Sequence, residues 1–151
     1  MIVTFCGHSK IRICKDTEQK MLAFLEEKVG SSPVDMFLGN YGKFDNLAYE
    51  CCKKYKEAHS NVSLVFVTPY LTIEYQRNHL NHLQKMYDSI IYFEIESKPK
   101  RFAITYRNRY MVENADYVVA YIDHNWGGAY ATYKYAKSKG KEIFNLVDFE
   151  E

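Results

Sequence analysis

The chain has 151 residues, enough for one self-sufficient domain that buries roughly 70% of the surface of its unfolded form. Its 20 basic and 19 acidic side chains give a net charge of +1, which argues against the diffuse positive field of a general nucleic-acid binder. No stretch approaches the roughly 18 apolar residues that span a bilayer, and an apolar strand pattern begins directly after Met1, so we expect a cytoplasmic protein with reduced thiols and no membrane contact.

Hydrophobic runs and helical periods alternate along the whole chain. The predicted strands are Ile2–Cys6, Val34–Leu38, Val62–Val67, Ser89–Phe93, Tyr117–Ile122 and Glu142–Val147. The predicted helices are Asp16–Val29, Phe44–Ala58, Thr72–Met86, Phe102–Ala115 and Ala129–Ser138. Nearly continuous apolar strands that alternate with helices are typical of a parallel sheet covered on both faces. We therefore predict a single α/β domain over residues 1–151: a Rossmann-like, doubly wound, mainly parallel sheet of about six strands with helices on both faces.

The cysteines and histidines do not follow a metal-ligand spacing. Cys6, Cys14, Cys51 and Cys52 form no C-x-x-C pair and have no matching histidine pair, so we expect neither a metal site nor a cofactor. Cys6 lies in a strand pattern, and Cys51 and Cys52 lie in a helix pattern. We expect these three thiols to pack as small hydrophobic groups.

In a sheet of this kind, ligands bind beyond the carboxyl ends of the strands, where the strand order reverses. This rule selects four loops, at residues 7–10, 39–45, 68–71 and 123–128. In the first loop, Gly7 lets the backbone approach a ligand. His8 either contacts that ligand or hydrogen-bonds a neighbouring loop.

The loop after the second predicted strand contains Gly39, Asn40, Tyr41 and Gly42, followed by Asp45 in the first helical turn. Two glycines and an asparagine tolerate positive φ, so this loop can bind an anion at the helix start. The spacing is G-x-x-G, which disfavours a dinucleotide site. Asp45 either orients a ribose hydroxyl or stabilises the positive end of the helix.

The helix that begins near Arg101 carries one stripe of residues spaced by three and four positions. The stripe contains Lys100, Ala103, Arg107, Met111 and Asn114. Arg107 has apolar neighbours on its own face, where a guanidinium is suited to bidentate binding of phosphate or carboxylate. Arg101 and Arg109 fall on another face and are interpreted as solvated charges. Asn108 either binds a ribose or base or makes a capping or inter-loop hydrogen bond.

The last of these loops leads into the final helix through Trp126, Gly127 and Gly128. The start of that helix offers free N–H groups and small residues that let a ligand come close, and Thr132 adds a hydroxyl. Trp126 either stacks on a base or covers the edge of the sheet.

Several of these motifs together resemble the SLOG superfamily, which includes the Lonely-guy phosphoribohydrolases, the DprA/Smf proteins and the YpsA-like proteins. The Lonely-guy pattern has an R-K-x-x-M helix, an A-D strand entry and then P-G-G-x-G-T-x-x-E. Arg107 to Met111, Ala115-Asp116 and Gly127 to Thr132 stand in the same order. The YpsA-like branch is closer, with G-H, G-G-x-x-G-x-D, R-N-x-x-M and G-G-x-x-x-T, which match Gly7-His8, Gly39 to Asp45, Arg107-Asn108 and Gly127 to Thr132.

The resemblance implies binding of a nucleotide or nucleotide-derived ligand, as in a sensor or carrier domain. It also raises an alternative, hydrolysis or transfer at the N-glycosidic bond of a nucleoside monophosphate. At the position of the hydrolase acid this chain has Lys134 or Tyr135, so a replacement carboxylate has to come from Glu113 or Asp45. A third alternative is single-stranded DNA binding as in DprA, which the near-neutral charge disfavours.

The resemblance further implies a homodimer, because the related hydrolases form dimers. Tyrosines on the last two predicted helices supply a candidate apolar patch. They are Tyr106, Tyr110, Tyr130 and Tyr133.

Overall fold

The computed structural model describes residues 1–12, 14–68, 81–92 and 100–150. Six strands are present: β1 (Ile2–Gly7), β2 (Val34–Leu38), β3 (Val62–Thr68), β4 (Ser89–Tyr92), β5 (Tyr117–Tyr121) and β6 (Glu142–Asn145). Four helices are described in full: α1 (Lys15–Lys28), α2 (Lys43–Ala58), α3 (Ala103–Asn114) and α4 (Gly128–Ser138). A single 3-10 turn, Lys100–Phe102, leads into α3, and residues 81–86 are also helical.

The strands and the four complete helices match the predicted elements closely. Residues 72–80 of the predicted helix Thr72–Met86, and Phe93 of the fourth predicted strand, lie outside the described residues. The largest difference is in β6, which ends two residues before the predicted Val147. There the side chain of Asn145 replaces main-chain pairing: its Oδ1 accepts from Ile122 N at 3.0 Å, and its Nδ2 donates to Ile122 O at 3.0 Å.

All six strands lie in one parallel sheet with the order β4-β3-β2-β1-β5-β6. The chain therefore winds outward from β1 to β4 in one direction and then returns to add β5 and β6 on the other side of β1. This is the predicted doubly wound, Rossmann-like arrangement. The strand order reverses between β1 and β5, so their carboxyl ends flank the crevice in which such folds bind ligands.

Helices cover both faces of the sheet. On one face, Met21 of α1 and Phe44 of α2 pack with Val3 and Phe5 of β1 in the main core cluster. On the other face, α3 and α4 pack on β1 and β5, where Val112 and Ala136 belong to the same core cluster as Cys6, Val118 and Ala120. Because both faces are buried, consecutive residues of β5 are apolar, and in β1 the buried Thr4 satisfies its hydroxyl by donating to Phe37 O at 3.2 Å.

Three of the four thiols pack inside the protein, as predicted. Cys6, Cys51 and Cys52 are buried and free, whereas Cys14 is exposed. Burial raises the pKa of Cys6 and of Cys51 to about 12, so neither thiol ionises near neutral pH. None of the helices among the described residues has the length and apolar character needed to cross a bilayer.

Candidate functional site

A cavity of about 570 Å³ lies at the carboxyl edge of the sheet, next to the point where β1 and β5 diverge. It is lined by residues 7–10 after β1, by Tyr41 and Asp45 beyond β2, by the inner side of α3 and by residues 126–129 at the start of α4. These contributions come from widely separated parts of the chain. The topology therefore converts four sequence segments into one site.

Most of the ligand-binding residues predicted from the sequence line this cavity. They are Gly7, His8, Tyr41, Asp45, Arg107, Asn108, Gly127, Gly128 and Thr132. Gly39, Asn40 and Gly42 are not part of the lining and lie in the turn between β2 and α2. Glu113 is exposed near the far end of α3, where its carboxylate accepts a hydrogen bond from the Tyr135 hydroxyl, and it is not part of the lining.

The start of α4 is open to the cavity. Gly127 has φ 94° and ψ 173°, a conformation that side-chain-bearing residues rarely adopt. The first helical hydrogen bond runs from Ala131 N to Gly127 O at 3.1 Å, so the N–H groups of residues 128–130 have no acceptor within the helix. Apart from the adjoining residues and the backbone of α4 itself, no described atom lies within 4 Å of a Cβ built on Gly127 or on Gly128. Free donors and the positive end of the helix dipole thus face unfilled space, which suits an anion.

The start of α2 has the same glycine conformation but is closed by the protein itself. Gly42 has φ 91° and ψ 179°, and a Cβ there would lie 2.7 Å from Ser9 Cα. Lys43 N donates to Ser9 O at 2.9 Å, and Tyr41 N donates to Asp45 Oδ2 at 2.8 Å. The anion that this turn holds is therefore the carboxylate of Asp45.

Arg107 is buried between α3 and the ends of two strands, with 2% of its surface exposed. Its Nη1 donates to Gly39 O at 2.7 Å and to Val67 O at 3.1 Å. A Cβ on Gly39 would lie 2.9 Å from that same Nη1, so only glycine lets the guanidinium approach the backbone this closely. Arg107 thus fixes the ends of β2 and β3 and places a positive charge beside the cavity.

Asp45 is a half-buried carboxyl group next to Arg107. Burial raises its pKa to about 6, although the positive charge of Arg107 and the hydrogen bond from Tyr41 N act in the opposite direction. The cavity therefore contains a carboxyl group that changes its charge close to neutral pH.

A chain of hydrogen bonds connects Arg107 to the open helix start. Arg107 Nε donates to Asn108 Oδ1 at 2.9 Å, and Asn108 Nδ2 lies 3.4 Å from Thr132 Oγ1. Thr132 Oγ1 donates to Gly128 O at 3.0 Å. Asn108 and Thr132 line the cavity, yet their polar atoms also hold the first turn of α4 against α3.

The other part of the lining is aromatic. Trp126 and Tyr41 are 66% and 59% exposed, the two highest values among the large apolar side chains of the described residues. The His124 ring lies 4.0 Å from the Trp126 ring and stacks on His8 at 3.4 Å between centroids. Three rings thus form one continuous surface, and Tyr41 adds a fourth ring elsewhere in the lining.

His8 is held between the loops after β1 and β5. Its N donates to Tyr121 O at 3.3 Å, and its Nε2 accepts from Asp123 N at 3.3 Å. Burial, together with His124, lowers the pKa of His8, although Asp123 acts to raise it. The sequence predictions selected the loop at residues 123–128 but named neither Asp123 nor His124 as a site residue, because nothing in their spacing relates them to His8. The one available signal was their position directly after a predicted strand.

The solved structures that share this fold include the following two. One is DNA processing protein A (DprA) from Helicobacter pylori, described for its single-stranded DNA binding mode; the match has 16% identity, a TM-score of 0.60, and covers 96% of this chain and 64% of the other. The second is the structural genomics target TM1055, with 14% identity, a TM-score of 0.54, and coverage of 94% of this chain and 71% of the other. No protein-family model and no curated protein matches the sequence.

At such identities the likeness shows the fold alone, and this chain spans less than two thirds of the DprA chain. DprA proteins belong to one of the groups that the sequence motifs resemble.

Proposed function

We propose that this protein binds a nucleotide or nucleotide-derived ligand in the cavity between β1 and β5, as a sensor or carrier domain. One observation carries the proposal: a single cavity contains both an open helix start and the most exposed aromatic side chains of the described residues. The phosphate binds at Gly127 and Gly128, where free N–H groups meet the helix dipole. The base stacks on Trp126 or Tyr41.

Arg107 has a supporting part in this proposal. The sequence predicted a guanidinium that contacts the anion, but Nη1 and Nε already donate to protein acceptors. Its charge nevertheless raises the positive potential of the cavity, because a buried charge is screened less than an exposed one. Through Asn108 and Thr132 it also keeps the helix start in place.

A thermal-shift screen tests the proposal. Nucleoside monophosphates, ADP-ribose and cyclic nucleotides are each added in the presence of EDTA, and a true ligand stabilises the protein by about 2.7 kcal/mol at a hundredfold excess over Kd. If none of these compounds raises the unfolding temperature, the proposal is wrong.

Trp126→Ala identifies the stacking surface. Loss of one base–aromatic contact costs about 1–3 kcal/mol, which corresponds to a Kd weakened roughly 5-fold to 150-fold. Phe102→Ala is the matched control, because Phe102 is also exposed, at 41%, but lies outside the cavity lining. Equal affinities for the two variants would show that the base does not stack on Trp126.

The second candidate function is cleavage of an N-glycosidic bond, and the position of Asp45 in the cavity favours it. An ionised carboxylate stabilises the oxocarbenium-like transition state of such a reaction. The test is release of free base from a nucleoside monophosphate, with activity lost in Asp45→Asn. Glu113→Gln is the control, because Glu113 lies outside the lining. Activity that survives Asp45→Asn would exclude this mechanism.

Single-stranded DNA binding is a third candidate, which only the fold shared with DprA favours. The net charge of +1 provides little of the phosphate neutralisation on which such binding depends. We expect no salt-dependent binding of an oligonucleotide in a fluorescence anisotropy titration. Binding that weakens steeply as salt is added would favour this candidate over the small ligand.

We also propose that the chain belongs to the YpsA-like branch and forms a homodimer through the tyrosine-bearing faces of α3 and α4. The branch proposal is supported by the order of Gly7-His8, Arg107-Asn108 and Gly127-Gly128 along the chain. Light scattering on the purified protein measures the oligomeric state directly, and a monomeric mass would refute the dimer.

A further inference from the structure

Two loops bring three metal-ligating side chains together at the cavity. His8 follows β1, and Asp123 and His124 follow β5. One ligand atom from each residue lies within 4.8 Å of the other two. The His8 side chain is 6% exposed, whereas those of Asp123 and His124 are 49% and 26% exposed. The cluster thus has one buried anchor and two members that an incoming ion can reach.

Two potential metal ligands, His8 Nε2 and Asp123 Oδ1, lie close together. A backbone N–H is always a donor, so the 3.3 Å contact from Asp123 N directs the lone pair of His8 Nε2 outward from the ring. The same Nε2 lies 3.5 Å from Asp123 Oδ1, which is also an acceptor. A cation that displaces the Asp123 N–H from this lone pair can bind Nε2 and Oδ1 together.

His124 completes the donor set. Its Nδ1 lies 2.6 Å from Asp123 Oδ1, so it carries the hydrogen that this carboxylate accepts. A metal takes the place of that hydrogen when His124 changes to its other neutral tautomer, with the hydrogen on Nε2 and the lone pair on Nδ1. No proton is gained or lost in this exchange.

We propose that His8, Asp123 and His124 bind a divalent first-row transition-metal ion in the lining of the cavity. Two imidazole nitrogens and one carboxylate suit Zn²⁺, Co²⁺, Ni²⁺ or Fe²⁺, whereas Mg²⁺ and Ca²⁺ prefer oxygen ligands. Bonds of about 2.0–2.2 Å place neighbouring ligand atoms roughly 3–3.5 Å apart, and the His8–Asp123 pair already has that spacing. Binding requires three adjustments: the His124–Asp123 contact lengthens, Asp123 N releases its hydrogen bond to His8 Nε2, and the His124 ring turns out of its stack on His8. The last is needed because a metal bound to an imidazole nitrogen lies in the plane of the ring.

Both histidines line the cavity, so the remaining coordination positions open toward it. Three protein ligands with free positions are typical of sites that also take water or a ligand oxygen. The inference does not depend on nucleotide binding, because it rests on the protein's own donor atoms.

The test is a Co²⁺ titration of the full chain without nucleotide, followed by visible absorption and calorimetry. Cys14→Ser is the background for every variant, since this exposed thiol can bind Co²⁺ by itself. We expect one Co²⁺ per chain, and a Kd at least about tenfold weaker in Asp123→Asn and in His124→Gln.

His59→Gln is the matched control. His59 Nε2 contacts Glu26 Oε1 at 2.9 Å, a histidine–carboxylate pair that lacks a third ligand among the described residues. Its substitution leaves the Co²⁺ affinity unchanged. The proposal is overturned if the parent protein binds no Co²⁺ saturably, if Asp123→Asn and His124→Gln both bind as the parent does, or if His59→Gln removes binding. Because nucleotides are screened in EDTA and Co²⁺ is titrated alone, failure of one proposal leaves the other standing.

Discussion

The starts of α2 and α4 have nearly the same backbone conformation and opposite surroundings. Gly42 and Gly127 differ by 3° in φ and 6° in ψ. At Gly42 the backbone of Ser9 closes the space above the helix, whereas at Gly127 no described atom lies within 4 Å of an added Cβ. Backbone conformation alone therefore does not make an anion site; the space in front of the free N–H groups decides whether a ligand can enter.

The charged groups near the two helix starts differ as well. The α2 start has its own anion in Asp45, with Arg107 next to that carboxyl group. The α4 start has no acidic residue in its first turn. At the α2 start the carboxylate of Asp45 already occupies the anion position. At the α4 start the positive helix end is left for an external anion.

The largest effect that the comparison predicts is at Arg107. Arg107→Met removes the donor to Gly39 O and Val67 O and leaves the Asp45 carboxylate beside an apolar side chain, so we expect a loss of about 3–5 kcal/mol in unfolding free energy. Arg109→Met is the control, since among the described residues exposed Arg109 only stacks over Tyr135, and its loss costs about 1 kcal/mol or less. Urea denaturation of both variants measures the difference; similar losses would mean that the α2 start does not depend on Arg107.

Asp45→Asn changes how stability depends on pH. The folded-state pKa of Asp45, about 6, lies above its ordinary value of 3.8, so this carboxyl group destabilises the fold progressively as pH rises between these two values. Asp45→Asn should therefore gain about 3 kcal/mol relative to the parent between about pH 3.5 and 7, at about 1.4 kcal/mol for each pKa unit.

Asp88→Asn is the control of opposite sign. Burial alone would raise the pKa of Asp88, but hydrogen bonds from Lys56 and Leu64 N outweigh burial and lower it. Its carboxylate therefore stabilises the fold above the ordinary pKa, and that stability is lost as the pH falls through the folded-state pKa. Asp88→Asn should lose stability relative to the parent as pH rises. If the two variants show slopes of the same sign, the environment assigned to Asp45 is wrong.

Comparing Gly42→Ala with Gly127→Ala measures how much the close packing at the α2 start costs in unfolding free energy. Both substitutions place a side chain in a strained conformation, at a cost of about 1–3 kcal/mol each. Only the methyl at residue 42 also meets backbone, 2.7 Å from Ser9 Cα, so Gly42→Ala should cost about 1–3 kcal/mol more than Gly127→Ala. Chemical denaturation measures the unfolding free energy of both variants. Equal losses would show that the helix start at Gly42 is no more crowded than the one at Gly127.

The smallest expected effect on stability is at Gly128. Its φ is not positive and an added Cβ meets no described atom, so Gly128→Ala should change the unfolding free energy by less than about 1 kcal/mol. The new methyl group nevertheless occupies the space assigned to the phosphate. The thermal shift caused by a nucleotide should therefore fall sharply while the unfolding temperature of the free protein stays nearly the same; a full shift would place the phosphate elsewhere.

The fold was predictable because its signals are local. Runs such as Leu64–Val67 and Tyr117–Ile122 are apolar throughout, as strands buried on both faces have to be, and helical periods separate them. The end of β6 was not predictable in this way. The side chain of Asn145 takes over pairing with Ile122, and this exchange depends on the position of β5, which no local pattern encodes.

The site was predictable only as far as topology and motifs reach. Parallel strands place the residues that follow β1, β2 and β5 at one edge of the sheet, and this rule selected His8, Tyr41 and Gly127. It did not show that Ser9 closes the helix start at Gly42, or that His8 stacks on His124. Both contacts depend on how loops distant in sequence pack against each other, and residue spacing holds no information about that.

Ser9 connects the loop after β1 to the start of α2. Its carbonyl accepts from Lys43 N, its backbone lies against Gly42, and it also forms part of the cavity lining. A guest molecule that pushes Ser9 aside has to break that hydrogen bond or shift the first turn of α2, together with Tyr41 and Asp45. Ligand binding in the cavity would then shift the start of α2, which packs on the opposite face of the sheet from α3 and α4.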